Sequence, residues 1–97
     1  MLDVATLLFD ADENMERDFL RIYRALLSKY GYEDTDTLMD YYSLCKVHSA
    51  LCYSGSSRAS GNLEESRRLI ETAAQTFSRV GKRDLAELTL EVALQAV

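Results

Sequence analysis

The chain has 97 residues, enough for one hydrophobic core and too few to divide buried surface between two. At 47% hydrophobic and 28% charged residues it is too apolar for disorder, and it has no apolar run near the ~18 residues of a membrane span. Acidic residues outnumber basic ones 16 to 11, and the net charge of −5 opposes binding to a phosphate backbone, so neither nucleic acid nor a membrane is expected as a partner.

The acids concentrate in residues 1–40, where ten of them (Asp3, Asp10, Asp12, Glu13, Glu16, Asp18, Glu33, Asp34, Asp36, Asp40) face four bases. This half is an acidic surface able to attract a basic partner. The start Met1-Leu2-Asp3-Val4 lacks the cationic region and long apolar core of a secretory signal, which predicts a cytoplasmic protein. Cys45 and Cys52 are spaced seven residues apart on one predicted helix, about 10 Å between Cα atoms, too far for a disulfide; both are expected as reduced thiols.

Leu2, Val4, Ala5, Leu7, Leu8 and Phe9 form a short apolar turn, either a separate helical piece or the lead into the next. From Met15 the stripe Met15, Phe19, Ile22, Tyr23, Leu26, Leu27 and Tyr30 predicts an amphipathic helix closed by Gly31. A second helix follows the N-cap candidates of residues 33–37. Its stripe is Leu38, Tyr41, Leu44, Cys45, His48, Leu51, Cys52 and Gly55, which predicts that His48 and both thiols face inward. Ser54 to Gly61 reads as a loop or a frayed helix end. Asn62 with Glu65 resembles a capping box for a third helix ending at Gly81, and Asp84 with Glu87 opens a fourth that is apolar around most of its circumference. Ala96-Val97 would dock on the first helices or offer an edge to a partner.

No run alternates with period two, so the expected fold is all-α: one domain over residues 1–97, a four-helix bundle or two stacked antiparallel helical hairpins. The expected core is Phe19, Ile22, Leu26, Leu44, Leu51, Leu69, Phe77, Leu88 and Val92, with Phe77→Ala costing about 3–5 kcal/mol.

Chemistry-bearing residues are few. Cys45, His48 and Cys52 share a predicted helical face, but a structural zinc site wants four ligands and this is the only histidine, so no metal or cofactor is expected. The pair lacks a third group to orient the imidazole, and no catalysis is expected from it. Adjacent helical positions diverge by about 100°, so Tyr41 and Tyr42 cannot both face one core. The outward members of Tyr32, Tyr41, Tyr42 and Tyr53 are expected as protein-binding anchors, with Glu13 and Glu16 steering a basic partner. On that basis Tyr42→Ala should weaken binding more than reversing both glutamates.

Residues 73–94 carry a small residue (Ala74) three before an aromatic (Phe77), then Gly81, Ala86, Leu90 and Ala93. This segment resembles a tetratricopeptide helical hairpin, which implies a protein-binding scaffold. The sequence thus points to a small acidic protein that binds another protein as an adaptor, a dedicated chaperone or an inhibitor, and leaves a homodimer open. The alternative rests on His48, placed midway along a helix of a four-helix protein, a layout similar to histidine phosphotransfer domains.

Overall fold

The computed structural model describes residues 2–9 and 11–95. Five helices follow one another: α1 (Leu2–Leu8), α2 (Glu13–Lys29), α3 (Thr35–Ala59), α4 (Leu63–Arg79) and α5 (Arg83–Gln95). The described residues are helices and their connections, so the chain is all-α as expected. None of these helices is long and apolar enough to cross a membrane. Asp10 and the Ala96-Val97 end lie outside the described residues.

Local chemistry sets the boundaries. Asp12, Asp34 and Asn62 are N-caps whose side chains accept from backbone N–H groups one turn ahead, at Met15, Thr37 and Glu65. Thr37 donates both N–H and hydroxyl to Asp34, which lowers the Asp34 carboxyl below its usual range. Arg68 does the same to Glu65. At the other ends Gly31, Gly61 and Gly81 take φ of 95°, 83° and 78°, and the residue after each donates back to a carbonyl of the final turn, the Schellman closure that favours glycine. Residues 54–59, expected as a loop or a frayed helix end, are the last turn and a half of α3, and residues 60–61 form the turn that follows. Gly55 is helical, and Ser54 is buried with its hydroxyl bonded to the Ser66 hydroxyl (2.9 Å) and carbonyl (3.2 Å), which ties this stretch to α4.

The long α3 is the spine. Tyr42 and Cys45 meet Ala5 and Leu8 of α1, with Leu20 of α2 at the margin. Val47 and Ala50 meet Ala73 of α4, flanked by Phe9, Leu51 and Phe77. α5 rests on α4 through Ala86, its one buried residue. Small residues dominate these contacts: Ala5, Ala50, Ala73 and Ser66 are wholly buried. Small side chains let the helix axes approach closely but bury little apolar area each. The assembly is an open layer of 44 × 26 × 20 Å, its radius of gyration of 14.4 Å above the ~12.5 Å of a compact chain of this length.

The core therefore differs from the expected one. Leu69 is buried as expected, and Leu51 and Phe77 are half-buried, but Phe19, Ile22, Leu26, Leu44, Leu88 and Val92 are exposed. For α3 the inward face is one position round from the apolar stripe: Tyr42, Cys45, Lys46 and Ser49 point in, while Tyr41, Leu44, His48 and Cys52 point out. The buried polar members are satisfied, Ser49 by Thr6 of α1 (3.2 Å) and Lys46 by Glu16 of α2.

Candidate functional site

α2 governs the surface. No residue of it is buried. The residues of α2 that are half-buried against the rest of the chain are Glu16, Leu20, Tyr23 and Leu27, spaced 4, 3 and 4 apart along one face. At about 100° per residue the stripe Met15, Phe19, Ile22, Leu26 and Tyr30 then points about a quarter turn to one side, and Arg17, Arg21 and Arg24 about a quarter turn to the other. All five apolar members are exposed, Ile22 at 54% and Tyr30 at 75%. Among the described residues Phe19 stacks on Tyr23 of its own helix and on no other ring, centroids 6.1 Å apart. Large apolar residues recurring at 4, 3 and 4 along a helix and left in water form a contiguous patch of the kind that marks an interaction site.

Beneath α2 lies a polar knot. Tyr42 Oη donates to Glu16 Oε2 at 2.6 Å, and Lys46 Nζ reaches the same oxygen at 2.7 Å. The carboxylate and the ammonium are 12% and 9% exposed, so this is a sheltered ion pair with a phenol attached. Burial, reinforced by the hydrogen bond and the charge of Glu16, drives the Tyr42 hydroxyl far above its ordinary pKa; it stays a donor at any physiological pH.

This geometry redistributes the expected partner-binding residues. Tyr42, 4% exposed, is no outward anchor, because its ring fills the α1–α3 contact and its hydroxyl holds Glu16. Glu16 is spent within the fold. Glu13 pairs with Arg79 of α4, tying the start of α2 to the end of α4. Neither glutamate is a free steering charge, and a loss of binding in Tyr42→Ala would report damage to the fold. Tyr32, Tyr41 and Tyr53 are exposed, but Tyr32 sits between helices, Tyr53 stacks on Phe9 (5.0 Å), and Tyr41 and Tyr53 are about 18 Å apart along α3, so they form no cluster.

His48 is exposed, contrary to its expected inward position, and its ring lies beside Cys52 Sγ (3.7 Å from Nε2). Cys45, about 10 Å from Cys52 along the same side of α3, is buried while Cys52 is exposed, and among the described residues no three His, Cys, Asp or Glu side chains gather as a metal site would need.

A cleft of about 600 Å³ runs between α2 and α4 over α3. Leu20, Met39 and Val80 give it an apolar floor, and Arg17, Arg21 and Arg24 rim it. Arg24 bonds Asp36 at 2.5 Å and Arg17 bonds Asn14 at 2.6 Å. Among the described residues neither Arg17 nor Arg21 meets a carboxylate. A positive cleft in a chain of net charge −5 was readable as arginines at i, i+4 and i+7, but the acid count of the first half masked it. Compared with protein-family models, with curated proteins and with solved structures, the chain finds no match.

Proposed function

We propose that this protein is a non-catalytic helical module that binds another protein through the exposed stripe of α2, as an adaptor, a dedicated chaperone or an inhibitor working in the cytoplasm. The observation that carries the reading is the seating of α2: its polar-flanked edge rests on α3 while Met15, Phe19, Ile22, Leu26 and Tyr30 face water. Helix faces of this kind recognise partners by i, i+3, i+4 anchors packed into a groove or against another helix. The likeness of residues 73–94 to a tetratricopeptide hairpin implies the same class of role.

The double variant Ile22→Asp, Leu26→Asp tests it. Both side chains are about half exposed, so helicity by circular dichroism should be kept, while a partner captured from the native source by the unaltered protein should be lost by at least tenfold. Equal capture by both proteins sinks the reading. A second reading stays on the exposed His48: phosphoryl transfer to it from a small phosphodonor, absent in His48→Gln, would put a signalling module in place of a binding one.

A further inference from the structure

The outward side of α5 is the counterpart of the cleft. Ala86 turns to α4, leaving Leu85, Leu88 and Val92 as an exposed stripe on the far side, bordered by Asp84, Glu87 and Glu91. Among the described residues none of these three carboxylates meets a cation. The two sets of charges also match in spacing. Arg17, Arg21 and Arg24 step by four and then three residues; Glu91, Glu87 and Asp84, read in the opposite chain direction, step by four and then three. At about 1.5 Å per residue both ladders span about 10.5 Å. An antiparallel helix laid over the cleft therefore brings Glu91 to Arg17, Glu87 to Arg21 and Asp84 to Arg24 in one register, with Leu88 and its neighbours over Leu20, Met39 and Val80.

We propose that the arginine-rimmed cleft between α2 and α4 seats α5 of a second copy of this chain, and that the exchange is reciprocal. Within one copy α5 lies on the other side of α4 and leaves the cleft open, so the contact is between molecules. One such contact alone joins unlike surfaces and continues into open chains; exchanging both closes a two-fold dimer and doubles the covered area toward the ~1,200–2,000 Å² of stable interfaces. A nucleic acid suits the cleft less well, because its backbone brings no side chains for the apolar floor and the chain's net negative charge repels it. The face used is separate from the α2 stripe, so either assignment can fail while the other stands.

Sedimentation equilibrium of the full chain at 0.15 M salt tests this. A dimer is expected, with its dissociation constant raised at least tenfold in Arg17→Glu, Arg21→Glu and equally in Glu87→Arg, Glu91→Arg, each with unchanged helicity. Mixing the two variants sets one native contact beside one charge-swapped contact, both attractive, and should return a mixed dimer that neither forms alone, a result that separates pairing from misfolding. A chain that is monomeric at millimolar concentration overturns the proposal, and so does a dimer indifferent to both charge reversals; a dimer lost only in Ile22→Asp, Leu26→Asp would assign self-association to the α2 stripe instead.

Discussion

Replacing Glu16 by alanine is expected to destabilise the fold by about 3–5 kcal/mol, the largest effect of any polar substitution in this chain. The loss comes less from the missing attraction than from what stays behind. Lys46, 9% exposed, keeps an ammonium in a sheltered site with no counter-charge, and the Tyr42 hydroxyl loses its acceptor. Removing all three charged and polar ends together, as Glu16→Leu, Tyr42→Phe, Lys46→Met, should recover most of the loss, since a buried pair is often no more stable than apolar residues of its volume. Urea melts of the single and triple variants measure this. Additive losses, with the triple variant worse than Glu16→Ala, would show that the knot is not a coupled unit.

Leu69→Ala should cost about 2–5 kcal/mol, against less than about 1 kcal/mol for Leu88→Ala. Leu69 is 2% exposed on α4, so its loss leaves a cavity; Leu88 is 52% exposed on the outer side of α5. Phe77 is half-buried, so its truncation should fall below the loss at Leu69 and below the figure expected of a fully buried aromatic. The same melts decide it. If Leu88→Ala equals Leu69→Ala, the outer face of α5 is covered in solution, by another part of the chain or by a second copy.

The helix types, the Asn62 cap and the closures at Gly31 and Gly81 were legible because they depend on a few adjacent residues: asparagine with a free N–H one turn ahead, glycine where φ must be positive; the capping box expected at Asp84 lies inside α5, which begins at Arg83. The direction in which each apolar stripe points was not. A period of 3.6 says that Met15, Phe19, Ile22 and Leu26 share a side, and nothing in it says whether a neighbour is there to cover them. In α3 the inward ladder of Tyr42, Cys45, Lys46 and Ser49 looks polar in isolation. It is inside because Glu16 and Thr6, on other helices, satisfy it, and those pairings lie 30 and 43 residues away along the chain. For the candidate site, the members of the α2 stripe were visible as a set but assigned to the wrong side. The tyrosines expected as binding anchors were only partly separable, since Tyr41 and Tyr42 exclude each other from one face without saying which is outside.

The small-residue contacts of the layer have a thermodynamic consequence. Alanines and serines at the helix crossings remove little hydrocarbon from water, while Phe19, Ile22 and Leu26 of α2 and Leu88 and Val92 of α5 keep between 36% and 60% of theirs exposed. The isolated chain thus holds back a large share of its hydrophobic free energy. That share is released only on association, and mass action then couples folding to occupancy: at a partner concentration one hundred times its dissociation constant the folded state gains about 2.7 kcal/mol, a sizeable fraction of what a domain this small possesses. With a partner seated on the α2 stripe as proposed, the persistence of the protein in a cell would be set jointly by its own sequence and by the abundance of that partner.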